Sequence, residues 1–126
     1  METILVTGGA KGITAACALA VARKTGVRLA LVGRTAVLHT AGPVGDPAGV
    51  RLRAQINENS KRPACLAAYP ELDHNELEGW SLAAEERERF VLVILQGPAP
   101  AARMAQRIGV TRDLLAPEFG AVFEIV

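Results

Sequence analysis

A cluster of glycines near the start of the chain has the residue types and spacing of a phosphate-binding loop. It covers residues 7–13, TGGAKGI, between the short apolar run 4–6 and an alanine-rich segment with helical periodicity. Glycine adopts backbone angles that other residues avoid, and because it lacks a Cβ atom a pyrophosphate can approach its backbone closely. The free amide groups of the following helix would point at the same phosphates. The stretch therefore predicts the strand, loop and helix of a dinucleotide-binding unit.

A second apolar run, residues 28–33, predicts a buried parallel strand after that helix. In a strand–helix–strand unit of this kind, the end of the second strand lies beside the adenosine ribose. NAD selection uses a carboxylate there, but the run continues into Arg34 and Thr35. The guanidinium of Arg34 would pair with a 2′-phosphate instead. These residues predict NADP(H) as the cofactor.

The combination of TGGAKGI with LALVGRT resembles the opening of a short-chain dehydrogenase/reductase. It is most similar to the ketoreductase domains of polyketide and polyunsaturated fatty acid synthases. The resemblance implies an NADP-dependent oxidoreductase whose partners are a nicotinamide dinucleotide and a second copy of the chain or a larger synthase. The residues that it implies for cofactor binding are Thr7, Gly8, Gly9, Lys11, Gly12, Ile13, Arg34 and Thr35.

The sequence His39-Thr40-Ala41-Gly42 is similar to a second motif of that family, which ends its fourth strand close to the adenine ribose. It adds Ala41 and Gly42 to the cofactor-binding residues implied by the resemblance. In the family, a helix and a further strand separate this motif from the end of strand two, whereas here it follows Arg34 within a few residues. Either an internal deletion joins two family segments, or the four-residue match is accidental.

The catalytic residues of the resembled family have no recognisable counterpart. Its reductases use a tyrosine with a lysine four residues later on the same helix face. The only tyrosine is Tyr69; Pro70 disfavours helical angles there, and Asp73 at the fourth position would raise the tyrosine pKa. The catalytic residues are therefore unknown, and we expect a ketoreductase-like fragment without catalytic residues of its own. The alternative is a non-catalytic nucleotide-binding or partner-binding module with Rossmann architecture.

The remaining polar clusters suggest no metal site. His74, Asn75 and Glu76 offer ligand-like atoms, but they lack the pair of histidines one helical turn apart that marks a zinc helix. The acidic and basic residues at 85–89 are expected to form a solvated helix face with local ion pairs.

The fold expected from these patterns is a three-layer, Rossmann-like α/β domain with a mainly parallel sheet, truncated or rearranged. The 126 residues provide for one domain. Residues 1–42 form its dinucleotide-binding start, and the Gly/Pro-rich residues 43–49 form a linker-like turn. The remainder, 50–126, is of uncertain assignment.

Within that remainder, the pattern indicates several elements. We expect a helix in 50–61, irregular structure in 61–75 and a short helix capped by Ser81. A buried strand is predicted at 90–95 and another at 121–126. Between these strands we expect a helix from Pro100 to Ile108, ended by Gly109, and one more turn at 111–115.

Composition and charge limit the function classes. The formal net charge is +1 and aromatic residues make up 4% of the chain, which argues against nucleic-acid binding. Two cysteines indicate reduced thiols rather than a disulfide framework. No charged leader and no apolar run of membrane-spanning length is evident. We therefore expect a soluble cytoplasmic protein without a membrane partner.

Overall fold

The computed structural model describes residues 34–59 and 61–126. Its centre is a sheet of four strands that are all parallel, in the spatial order β2-β1-β3-β4. The strands are β1 (Thr35–Ala41), β2 (Ala64–Ala68), β3 (Phe90–Gln96) and β4 (Ala121–Ile125). The two central strands, β1 and β3, are almost entirely buried. The expected three-layer α/β fold with a parallel sheet is confirmed.

Helices cover both faces of this sheet. They are α1 (Gly42–Asn59), α2 (Leu72–Asn75), α3 (Ala84–Arg87) and α4 (Ala102–Leu115), with 3-10 turns at Leu77–Trp80 and Ala116–Glu118. Helix α1 packs Ile56 against one face, beside Leu38 and Val93. Helix α4 packs Ile108 and Leu115 against the other. Within the described ranges, no helix is both long enough and apolar enough to cross a membrane.

Several elements follow the sequence patterns. The strands at 90–95 and 121–126 and the helix within 50–61 are confirmed. Strand β2, ACLAA, lies within a stretch expected to be irregular; it is at the edge of the described sheet and pairs only with β1 among the described strands. It forms because β1 supplies its hydrogen bonds, although alanine has a weak preference for strands.

Two helix boundaries differ from those expected. Ser81 does not cap α3, because that helix begins at Ala84. Helix α4 continues through Gly109 to Leu115, since its contacts with the sheet on both sides of the glycine outweigh the low helix propensity of that residue.

The glycine-rich stretch 43–49 is not a linker-like turn but the first two turns of α1. The reversal itself takes place at Gly42, whose φ of 74° is favourable only for glycine. Pro43 follows within the first turn, where a missing N–H costs no hydrogen bond. Gly45 and Gly49 are both buried where the helix approaches the sheet closely. The division of the chain into 1–42, 43–49 and 50–126 within one domain otherwise stays a prediction.

Replacing Gly109 by alanine is expected to stabilise the protein by about 0.5–1 kcal/mol. Gly109 lies inside α4, and a Cβ atom built on it would meet no atom within 4 Å. The substitution therefore removes conformational freedom from the unfolded chain without a clash. Urea unfolding of the two proteins measures the difference. An unchanged or lower midpoint would show that the helix does not accept a side chain there.

Candidate functional site

The carboxyl edge of the described sheet is the place where a ligand site is expected. In open parallel α/β sheets, ligands bind outside the carboxyl ends of the strands, at the point where successive connections leave to opposite sides. Here β1 connects to β2 on one side, and the chain then returns to place β3 on the other side of β1. The residues at this edge are Ala41 and Gly42 after β1, the start of the segment 69–80 after β2, and Gly97 after β3. Trp80, at the end of that segment, contacts Phe90 at the amino end of β3.

The residues predicted for cofactor binding are divided by the structure. Ala41 is buried at the carboxyl edge, where Gly42 begins α1. Arg34 and Thr35 lie at the opposite edge, because Thr35 begins β1. The guanidinium of Arg34 donates to a carboxylate oxygen of Glu88 at 2.7 Å. The strand predicted at 28–33 lies outside the described residues, so the role of Arg34 and Thr35 beside a ribose stays a prediction.

The remaining residues predicted for cofactor binding, Thr7, Gly8, Gly9, Lys11, Gly12 and Ile13, lie outside the described residues. Their ability to bind a ligand stays a prediction.

The segment after β2 is fixed to the body of the domain at three points. The backbone N–H of Tyr69 donates to the carbonyl of Thr40 at 2.8 Å, which continues the pairing of β2 with β1. Leu72 is buried in the core beneath α4. The indole of Trp80 packs on Phe90 and Phe119, with ring centroids 5.4 and 5.0 Å away. The residues between these anchors are therefore presented in a defined position.

Residues 71–76, which we name the His74 turn, carry the exposed polar groups of this segment. His74 and Asn75 are exposed, and so is Glu71. The N–H of His74 donates to the Glu71 carbonyl at 3.0 Å, and the Asn75 amide donates to the Glu71 carboxylate at 3.5 Å. An imidazole beside carboxylates can accept and donate protons at a bound molecule. The turn therefore has the groups for acid–base chemistry.

Asp73 joins this turn to α4. One carboxylate oxygen accepts from the Thr111 hydroxyl at 2.7 Å, and the other accepts from the Arg107 guanidinium at 2.9 Å. The Asp73 side chain is 14% exposed. Both of its oxygens are thus engaged by groups one helical turn apart on α4.

Two buried aromatic side chains lie behind the turn. His39 of β1 and Tyr69 meet edge to face, with ring centroids 5.9 Å apart. Burial first, and then Asp73, raises the pKa of Tyr69, which confirms the sign expected from the sequence. The Thr111 hydroxyl is near enough to lower that pKa slightly, but its own hydrogen bond goes to Asp73, and the Tyr69 hydroxyl has no well-formed partner. Tyr69 is therefore a core residue, not a proton donor.

His39 is fully buried, and neither ring nitrogen has a hydrogen-bond partner. Burial lowers its pKa to about 4, although the charge of Asp73 acts in the opposite direction. The imidazole is consequently neutral at pH 7.

A surface groove of about 490 Å³ runs between the His74 turn and α4. Its walls include Leu77 on one side and Val110 and Leu114 on the other, and Asp73 and Arg107 lie along it. Among the described residues, no three His, Cys, Asp or Glu side chains are close enough together to hold a metal ion.

The His74 turn is the part of the site that sequence reasoning missed. In the sequence PELDHNE, 70–76, the metal-site argument covers only His74, Asn75 and Glu76, and Asp73 enters only through its effect on the Tyr69 pKa, because no strand is predicted before them. A dense run of acidic, amide and imidazole groups directly after a strand is the pattern that would have indicated a ligand edge.

Comparison with known proteins identifies a different family from the one the glycine loop suggested. The family model described as "Bacterial phospho-glucose isomerase C-terminal SIS domain" matches residues 23–126. A bifunctional phosphoglucose/phosphomannose isomerase of Aquifex aeolicus is 40% identical over 72 residues, 57% of this chain and 22% of the relative. Its namesake in Caldicellulosiruptor bescii is 35% identical over 75 residues, 60% of this chain and 22% of the relative.

A third relative of the same name, from Aeropyrum pernix, is 48% identical over 44 residues, 35% of this chain and 13% of the relative. The matched part of the chain thus spans about a fifth of the length of the first two relatives. No solved structure matches the chain.

These matches overturn the functional expectations drawn from the glycine loop. The resemblance to short-chain reductases and synthase ketoreductases is wrong, and so are the oxidoreductase activity, the NADP cofactor and the nicotinamide and synthase partners implied by it. The alternative of a non-catalytic nucleotide-binding or partner-binding module is likewise replaced by the match to an isomerase family. A strand, a glycine-rich turn and a helix are common to many α/β proteins, so the pattern does not by itself distinguish among families. The chain belongs to the family of bacterial phosphoglucose isomerase C-terminal SIS domains.

Proposed function

We propose that this chain is the C-terminal SIS part of a sugar-phosphate isomerase that interconverts phosphorylated aldoses and ketoses, with phosphoglucose and phosphomannose as substrates. The family match over residues 23–126 carries the proposal, and the three relatives bear the name of that activity. Since the aligned part covers about a fifth of two of those relatives, the activity of the complete relatives is proposed here for a chain that matches only one part of them.

The proposed reaction requires proton transfer and no external hydride acceptor. An open-chain aldose becomes a ketose when one proton moves from C2 to C1 and another moves from the C2 hydroxyl to the C1 oxygen. The carbonyl carbon C1 is reduced and C2 is oxidised within the same molecule, so no electrons leave the sugar. The protein must supply groups that accept and return protons beside C1 and C2.

Among the described residues, His74 is the group best placed for such a role. It is exposed at the carboxyl edge of the sheet, on a turn fixed by Leu72 below and Asp73 beside it. His39, the other histidine, is fully buried and out of reach of a substrate. We propose that His74 transfers a proton during isomerisation and that the neighbouring carboxylates keep the site polar. The cytoplasmic location expected from the two cysteines remains part of this proposal.

The test measures the incorporation of solvent deuterium at C2 of the sugar phosphate. The full chain is incubated with glucose 6-phosphate in D₂O, and proton NMR records the C2 signal and the appearance of fructose 6-phosphate. We expect both loss of the C2 proton and formation of the ketose, and we expect His74→Gln to slow both by about 100-fold.

A histidine variant elsewhere provides the control. His39→Gln changes the same residue type in the core, so its rate, corrected for the folded fraction, should stay within about threefold of the unchanged chain because His39 cannot reach substrate. A folded chain that neither exchanges the C2 proton nor forms ketose would contradict the proposed activity. Equal rates for the unchanged chain and His74→Gln would contradict the role of His74.

A further inference from the structure

We infer that Asp73 is a positioning residue, which holds the His74 turn against α4 through Thr111 and Arg107 and thereby sets the orientation of the His74 imidazole. The inference rests on the proposed function for its kinetic consequence and on the described contacts for its structural one. Asp73 itself touches no reacting atom in this scheme, because both of its oxygens are directed at α4.

Asp73, Thr111 and Arg107 form a hydrogen-bonded cluster, which we name the clamp. Thr111 donates to one oxygen at 2.7 Å and Arg107 donates to the other at 2.9 Å, from successive turns of one helix face. A carboxylate that accepts a hydrogen bond at each oxygen cannot rotate about its side-chain bonds without losing one of these charge-assisted hydrogen bonds. Thr111 is buried and Asp73 is 14% exposed, so water competes poorly for the bond between them, whereas the Arg107 side chain is 49% exposed and its bond is the weaker of the two. The clamp therefore restrains the backbone of the turn at residue 73.

Few other contacts in the described chain determine how the turn lies. Its own hydrogen bonds are local, from the N–H of His74 to Glu71 and from the N–H of Glu76 to Leu72. Leu72 packs in the core and so fixes the position of the His74 turn. A single apolar contact restrains the rotation of the turn about that point less strongly, because it has no preferred direction. Asp73 supplies the second, directional attachment at the neighbouring residue. His74 comes next in the chain, so its orientation depends on both attachments.

Another ion pair shows why this one differs from an ordinary surface contact. Arg34 and Glu88 meet at 2.7 Å, but their side chains are 34% and 68% exposed. Pairs of that kind contribute little, because solvent screens them and two long side chains lose freedom. Glu88 lies beyond α3, away from the His74 turn. Glu88→Gln is thus a matched control, since it removes the charge of an ion pair without touching the clamp.

The kinetic test separates positioning from substrate binding. In the full chain, Asp73→Ala is expected to lower kcat for glucose 6-phosphate about tenfold and to change KM by less than twofold, because a misplaced proton-transfer group slows chemistry. Asp73→Asn is expected to recover most of kcat, since its amide oxygen still accepts from Thr111. Glu88→Gln should leave both constants unchanged. A kcat for Asp73→Ala equal to that of Glu88→Gln, after correction for the folded fraction, would overturn the inference.

A second readout does not depend on activity. Carbon–proton NMR of the two histidine rings is compared in the unchanged chain, Asp73→Ala, Thr111→Val and Glu88→Gln. We expect the His74 ring signal to broaden or split in the first two variants and to keep its position in the third. A His74 signal that is identical in all four proteins would also overturn the inference. If the unchanged chain does not isomerise sugar phosphates but its His74 signal responds to Asp73→Ala, the proposed activity fails while the clamp stands.

Discussion

Replacing Gly45 by alanine is expected to lower the free energy of unfolding by about 3 kcal/mol. A Cβ atom built on Gly45 would lie less than 3.0 Å from the carbonyl oxygen of Leu95, and 3.2 Å from the Cα atom of Gln96. Both obstacles are backbone atoms of the central strand β3, so no side-chain rotation relieves the clash. The first turns of α1 must move away from the sheet, which opens gaps along a well-packed interface.

Equilibrium unfolding in urea, followed by circular dichroism, measures this loss. Gly109→Ala is the matched control, because it adds the same methyl group inside the other long helix, where nothing lies within 4 Å. The two substitutions should therefore change stability in opposite directions. Equal midpoints for the two variants would show that α1 does not approach β3 as closely as described.

At Gly49, a second substitution can test whether a steric clash causes the loss of stability. Its added Cβ would collide chiefly with the Cγ2 methyl of Thr40 and would lie 3.0 Å from a methyl of Leu66. Thr40→Ser removes that Cγ2 atom and leaves the hydroxyl in place. We expect Gly49→Ala to cost at least about 1 kcal/mol less in the Thr40→Ser protein than alone. Additive costs would exclude the Thr40 methyl as the obstacle.

Acid is expected to destabilise the protein through His39. The pKa of this imidazole is about 4 in the folded state, against 6.5 in the unfolded chain, because burial disfavours the charged form. Since the folded pKa is the lower one, stability is undiminished above pH 6.5, falls as the pH drops below that value and reaches its full loss below pH 4. The difference between the two pKa values corresponds to about 3 kcal/mol.

Paired variants isolate this contribution from the carboxylates that titrate in the same range. Unfolding free energies at pH 7, 5.5 and 4.5 are compared for the unchanged chain, His39→Leu and His74→Gln. We expect His39→Leu to lose much less stability between pH 7 and 4.5, because leucine fills the space without titrating and leaves no unpartnered nitrogen. His74→Gln replaces the exposed histidine and serves as the control for the residue type. If all three slopes coincide, His39 is not the source.

A continuous apolar run was sufficient to predict β3, one of the two central strands, whereas β1 at 35–41 was not predicted as a strand. Residues 90–95 form a run that is apolar at every position, and a strand with helices on both faces must be so. The edge strand β2 has no such signature, because only one described neighbour pairs with it and part of it meets solvent. Its existence depends on β1, which lies more than twenty residues earlier in the chain.

Glycine was the residue type that sequence reasoning interpreted least well. Within 42–49, only Gly42 adopts a positive φ angle that requires glycine. Gly45 and Gly49 are needed because they have no side chain at the point where the helix contacts the sheet. Local sequence cannot distinguish these two uses, because the second is defined by residues of β1, β2 and β3. The same ambiguity led the loop at 7–13 to be assigned to a reductase, and its structure lies outside the described residues.

The sequence by itself determined the fold class and the buried strand β3, since both follow from the period and length of apolar runs. Tertiary structure decided where the chemistry lies. It placed Arg34 at the amino edge beside Glu88, and it brought Asp73 of one segment to Thr111 of another, 38 positions away. The physical reason is that hydrophobic periodicity is a property of one segment and can be read from that segment alone. The edge of a sheet, and the hydrogen bonds that hold a carboxylate, form only between segments that are distant in the chain.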